Sequence, residues 1–265
     1  MLVTLIGQIV AFFIPEKIAI FIARILADAF RVFDWRSKAV QKNLEVIFPH
    51  MKHGERKRIM RDTFRKMFIS YIRVMKCTRE KWRRMVVIED LELFRGKKSI
   101  VYSIHLGPWD IPAKFINNFG FNFYALMENL PKFYLWMWLR FRRGIKVFLV
   151  GHGTIKALQK LKREENYSLV VLVDRVTSGK YTVKKFLGEK VIFADGLFKL
   201  PKLVEGTPYF LTCHWDESMQ KIRFDIVELD INHLESQILK YFEESVKRYP
   251  DQWFNFYFFT TQKRI

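Results

Sequence analysis

The chain has 265 residues, half of them apolar and 26 of them Phe, enough to fill a large interior and to exclude a disordered or low-complexity protein. Its 46 Lys and Arg against 27 Asp and Glu give a formal net charge of +19, so its summed field attracts polyanions: nucleic acid, anionic lipid or an acidic protein. Cys77 and Cys213 are far apart and lack CxxC spacing, which builds neither a disulfide framework nor a zinc site and fits a reducing compartment.

In chain order, MLVTLIGQIVAFFI opens with fourteen uncharged residues, about 21 Å as a helix and short of the roughly 30 Å hydrocarbon core of a bilayer. Pro15 interrupts it, and IAIFIARILADAF follows with only Arg24 and Asp28 charged, so two helices are expected to meet at Pro15. No basic segment precedes the apolar run, which disfavours a signal peptide, and residues 1–30 read as a monotopic membrane anchor rather than a buried hairpin. Residues 31–84 hold 17 Lys or Arg and 5 Asp or Glu, and Ile59, Phe64, Met67, Phe68, Tyr71, Ile72 and Met75 recur at helical spacing. Residues 31–98 are therefore expected to be a basic, amphipathic helical region, a docking surface for anionic partners. His50 and His53 have no companion thiols or carboxylates at ligand spacing and read as loop residues, with no metal expected.

From residue 99 the texture changes to short β-rich runs: Ser99 to Ile104, Phe121 to Leu126, Ile145 to Val150, Ser168 to Val173, Pro208 to Cys213 and Ile222 to Leu229. Helical patterns at Gly153 to Lys162 and Asn232 to Tyr249 alternate with them, the latter stopped by Pro250. The expectation is an α/β core over 99–265, a mixed central sheet covered by helices, with the membrane-associating helical segment at the amino end. No repeat or flexible linker is visible.

The chemistry concentrates in SIVYSIHLGPWDI, Ser99 to Ile111. A buried strand ends at Ile104 and places His105 at its carboxyl edge, where open α/β sheets bind ligands. Gly107 and Pro108 make a turn, and Trp109 and Asp110 are expected to open a helix. The His-x4-Asp spacing lets the turn fold the Asp110 carboxylate back onto the imidazole, fixing its tautomer and stabilising the cation formed when the other nitrogen takes a proton. Such a pair suits activation of a hydroxyl for attack on a thioester carbonyl.

HLGPWD also resembles the H-x-G-N/x-W-D/E box of the bacterial lipid A biosynthesis acyltransferase family, which includes lauroyl and myristoyl transferases. Asn43-Leu44 with Phe48-Pro49 resembles the family's NL…FP segment, RFRRG at 140–144 its arginine segment, and Phe186-Leu187-Gly188 its FFG. Leu200 to Pro208 is similar to its LA…TGAPV and YPDQW at 249–253 to its YPEQW, so the ordered match runs from about residue 38 to residue 253. The resemblance implies a catalytic pair at His105 and Asp110 and substrate-binding roles at Arg142 and Asp174, with Arg140 and Arg143 one or two residues away in register. It implies an acyl donor, either acyl carrier protein or coenzyme A thioester, no cofactor, and a membrane lipid acceptor at the cytoplasmic face of the bacterial inner membrane. The chain departs from the family at Pro108, where Asn is common, and at Arg175 and Ser178, which replace a second acid and its neighbour. It also lacks the W-x-H-R-R-F ending. Lipid A precursors, phosphoglycolipids, mannosylated phosphoinositides and glycerolipids remain open as acceptors.

Two other readings compete. A glycerophosphate-type acyltransferase also uses His-x4-Asp, but Leu106 stands where a polar or basic residue is usual, and Glu205-Gly206-Thr207 spells only part of an EGTR-like phosphate motif. A basic nucleic-acid-binding protein would account for the Arg and aromatic residues between 56 and 84. Those aromatics fall on the apolar helical face, however, and no nucleic acid is expected as partner.

Overall fold

The computed structural model describes residues 13–127, 143–151, 153–176 and 180–258. Three helices open the chain: α1 (Glu16–Phe33), α2 (Arg36–Ile47) and α3 (His53–Lys76), followed by the short α4 (Arg79–Met85). Pro15 stands at the N-cap of α1, as the sequence suggests; the apolar stretch before it, residues 1–12, lies outside the described residues. Ala19, Ala23 and Ala27 form a small-residue stripe that lets α1 lie close on α3. Arg65 reaches across to Asp28, and Lys81 Nζ lies 2.7 Å from Glu16 Oε2.

The opposite face of α1 is apolar and open: Ile18, Phe21, Ile22, Ile25 and Leu26 project outward, with Phe33 88 % exposed at the carboxyl end. Among the described residues, no helix is long and apolar enough to cross a membrane. Of the aromatics in the basic segment, Phe64 and Trp82 are fully buried, whereas Phe33 and Tyr71 are exposed.

The core sheet contains β1 (Lys98–Ser103), β2 (Phe123–Met127), β3 (Lys146–Leu149), β4 (Tyr167–Leu172), β7 (Thr207–Asp216) and β8 (Lys221–Glu228), in the order β3-β2-β4-β1-β7-β8. The first five of that order are parallel, and β8 closes one edge antiparallel to β7. Helices α5 (Thr154–Leu161), α6 (Leu200–Leu203) and α7 (Leu234–Arg248) complete the α/β layering. One face of the sheet packs Ile100, Tyr102, Leu169 and Phe210 against α5 and α7, and the other packs Val101, Val170, Leu211 and Cys213 against Trp82, Leu91 and Phe94. Burial on both faces is why β1 and β4 read as unbroken apolar runs.

Two features differ from the expectations. A separate hairpin, β5 (Tyr181–Phe186) and β6 (Glu189–Ala194), turns at Leu187-Gly188, both with positive φ, so the FLG segment is a two-residue hairpin turn. After the His105 box no α-helix begins at Trp109; the chain makes tight turns and then short 3₁₀ segments, Pro112–Lys114 and Ile116–Phe119.

A third cluster joins Ala27, Leu44, Ile59, Phe64 and Met67 to Phe256, so the carboxyl-terminal segment is locked onto the helical region. Asn43, 2 % exposed on α2, donates Nδ2 to the carbonyls of Asn255 (3.2 Å) and Tyr257 (2.8 Å). Asn43→Ala leaves those carbonyls without their buried donor, so unfolding in urea should show a loss of about 1–3 kcal/mol; an unchanged midpoint would remove Asn43 from this role.

Candidate active site

His105 follows β1 by two residues, and Asp174 follows β4 by two. The strands are parallel neighbours with Ser103 opposite Leu172, so continuing that register sets His105 opposite Asp174. The contact is realised: His105 Nδ1 is 2.7 Å from Asp174 Oδ1, and the His105 backbone N–H donates to Oδ2 at 3.0 Å. Trp253 Nε1 donates to the same Oδ2 at 2.9 Å, and Asn255 Nδ2 to the Asp174 carbonyl at 3.3 Å.

Asp174 has a fully buried side chain, while that of His105 is 29 % exposed. Burial works to raise the Asp174 carboxyl, but the His105 ring, the Arg175 guanidinium and the Trp253 N–H outweigh it and hold the group at about 2. An ionised carboxylate only accepts hydrogen bonds, so the proton of the neutral imidazole belongs on Nδ1 and the lone pair on Nε2. The ring is thereby set up to take a proton at Nε2.

The loop carrying His105 is pinned from behind. Phe254 N–H donates to the His105 carbonyl at 2.7 Å, Gly107 N–H donates to the Gln252 carbonyl at 2.8 Å, and Leu106 bridges to Trp253. Gln252 itself is buried and clasps Trp215, accepting from its N–H and donating to its carbonyl. Gly107 has φ +74°, and a Cβ there would come 2.2 Å from the Cys213 carbonyl oxygen, so only glycine fits where the loop crosses β7.

The other expected site residues are distributed around this centre. Asp110 lies in the turn after Trp109, whose Nε1 donates to the Ile104 carbonyl, and its charge adds to burial in raising the Cys213 thiol. The carboxylate seated on His105 Nδ1 is that of Asp174. Arg140 and Arg142 lie outside the described residues. Arg143 is exposed, beside Gly144, whose N–H donates to the Ala113 carbonyl and ties the end of the arginine segment beneath the His105 loop. Trp253, Asn255, Gln252 and Asn43 were not expected as site residues; the YPDQW and NL segments were the signal that could have raised them.

Cys213 is buried with its thiol pushed well above the ordinary range, and burial lifts Cys77 to about 11, which favours the protonated thiol at both. Among the described residues, no group of three or more His, Cys, Asp or Glu could hold a metal ion. Glu205-Gly206-Thr207 enters β7 at the amino end of the parallel strands, where Thr207 lies opposite Ser99 and Glu205 pairs with Lys98. His105 lies six residues further along β1, about 20 Å at 3.3 Å per residue, so this partial EGTR motif cannot hold a phosphate against the imidazole.

A family model described as bacterial lipid A biosynthesis acyltransferase matches residues 1–258. No curated protein matches the chain.

The low Asp174 value fixes the sign of a pH effect. A carboxyl lowered from its ordinary value near 4 to about 2 adds stability that is complete above about pH 4 and is lost as pH falls toward 2, on the order of 2 kcal/mol. Acid titration of folding should therefore be flatter between pH 4 and 2 in Asp174→Asn than in the wild type. Parallel curves would mean that Asp174 is not held ionised by the fold.

Proposed function

The chain belongs to the bacterial lipid A biosynthesis acyltransferase family, and on that premise we propose that it moves a fatty acyl chain from an acyl thioester to a hydroxyl of a membrane lipid or glycolipid. The observation that carries the mechanism is the 2.7 Å contact between His105 Nδ1 and the buried Asp174 carboxylate. His105 Nε2 takes the proton of the acceptor hydroxyl as its oxygen attacks the thioester carbonyl. The tetrahedral intermediate collapses, the carbon–sulfur bond breaks, and the imidazolium returns the proton to the leaving thiolate, giving an ester and a free thiol. Asp174 stabilises the imidazolium between those two transfers without itself taking the proton.

Asp110 is assigned as the second carboxylate of the catalytic loop, and Arg142, with Arg140 and Arg143 beside it, as the segment that holds an anionic part of a substrate through a planar guanidinium. The donor is acyl carrier protein or coenzyme A thioester, and no metal or cofactor takes part. An acidic carrier would be drawn to the basic surface of α3 and α4.

Residues 1–30 are assigned as a monotopic anchor at the cytoplasmic face of the inner membrane, preceding an acyltransferase domain over residues 31–265. The outward apolar face of α1 supports this, since Ile18, Phe21, Ile22 and Ile25 recur at helical spacing and remain uncovered. Anionic headgroups would reinforce binding through the neighbouring Lys and Arg.

Two experiments test these assignments. His105→Ala should keep its melting temperature yet lose acyl transfer from a labelled thioester to membrane lipid by on the order of 10²-fold or more; a folded variant with near-normal transfer would defeat the mechanism. Phe21→Glu with Ile25→Glu should cut co-sedimentation with phosphatidylglycerol vesicles and leave a remainder that high salt removes. Undiminished, salt-resistant binding would place the membrane contact elsewhere.

A further inference from the structure

We propose that Arg175 holds a phosphate or diphosphate group of one substrate beside the His105–Asp174 pair. The inference rests on the acyl-transfer reading and names a substrate contact within it. Arg175 follows Asp174 directly and is half-buried. Its guanidinium is fixed on two sides: Nη2 donates to the Phe254 carbonyl at 2.8 Å, and Cζ lies 4.9 Å from the centre of the Tyr257 ring.

Nothing in this arrangement uses the remaining donors. Asp174, its chain neighbour, feels its charge, but among the described residues no carboxylate hydrogen-bonds to the group, and Nε is buried without an acceptor. A guanidinium kept in place with an unsatisfied N–H is an arrangement that packing alone does not favour, because an exposed rotamer would hydrate all five donors. The two contacts preorganise a planar, permanently charged fork on the residue that follows Asp174, and such a fork suits phosphate oxygens.

The supports belong to the site as well. Phe254 receives the Arg175 N–H on its carbonyl and gives its own N–H to the His105 carbonyl. The phosphate-holding group and the general base are therefore set by the same residue of the carboxyl-terminal segment. Arg175 directly follows Asp174 of the dyad in the chain, and both are held by the segment from Trp253 to Tyr257. Both substrate classes can supply it: the donor through the diphosphate of coenzyme A or the phosphopantetheine phosphate of a carrier protein, the acceptor through a phosphorylated headgroup.

The test uses the full chain in detergent. Arg175→Gln keeps a side-chain amide able to donate to the Phe254 carbonyl, and Arg175→Lys keeps the charge without the fork. Inorganic pyrophosphate should raise the melting temperature of the wild type more than that of Arg175→Gln, with Arg175→Lys between them; this readout needs no acyl transfer, so it stands even if the acyl-transfer reading fails. Kinetics then separate the sources. An increase of about 10- to 100-fold in KM for acyl-coenzyme A that disappears with the phosphate-free acyl-pantetheine assigns the donor. The same increase in KM for a phosphorylated acceptor, with either donor, assigns the acceptor. Equal stabilisation of wild type and Arg175→Gln by pyrophosphate, or a fall in kcat with every KM unchanged, would overturn the proposal and leave Arg175 as a support for Phe254.

Discussion

One carboxylate with no access to water organises the carboxyl edge of the sheet, where β1 and β4 end. Asp174 accepts from the His105 backbone, faces the His105 ring and accepts from the Trp253 indole, groups brought from residues 105 and 253 to a single point. A buried, unpaired charge would cost several kcal/mol, so these contacts are conditions for the charge to exist there. The same contacts fix the imidazole tautomer, so the fold that buries the carboxylate also sets the ring.

The rest of the architecture serves that point. Parallel pairing of β1 and β4 sets the two residues opposite each other, and Gly107 lets the loop turn against β7. The segment from Gln252 to Tyr257 then runs behind the loop as a strap, bonded to it at Gly107 and His105 and anchored by Asn43 and Phe256 in the helical region. Asn43 on α2 thus ties the helical region to that strap by two hydrogen bonds. Displacing that strap should disturb the imidazole as well as the fold.

Much of this was legible in the sequence, and the limits are physical. β1 and β4 stood out because two-sided burial writes apolar runs, and α7 because its periodicity and Pro250 are local signals. The β5–β6 hairpin was missed because its turn is Leu187-Gly188 rather than Asn-Gly, and its strands mix Lys and Tyr with few buried positions. His105 was found from its place after a buried strand. Asp110 was paired with it from spacing along one loop, whereas the Asp174 carboxylate on Nδ1 comes from a residue whose nearness depends on which strands are neighbours. Spacing along one loop carries no information about sheet order, although the family resemblance had already singled out Asp174 as a site residue.

Acyl transfer by the proposed route requires Asp174 to be ionised and His105 to carry its neutral-state proton on Nδ1. Nitrogen-15 NMR of the labelled imidazole, taken where the ring is neutral, reports this directly. The predicted result is a protonated, pyrrole-type Nδ1 and an unprotonated, pyridine-type Nε2, with the pattern lost in Asp174→Asn. A neutral ring protonated on Nε2 in the wild type would leave no base facing the acceptor hydroxyl and would contradict the account.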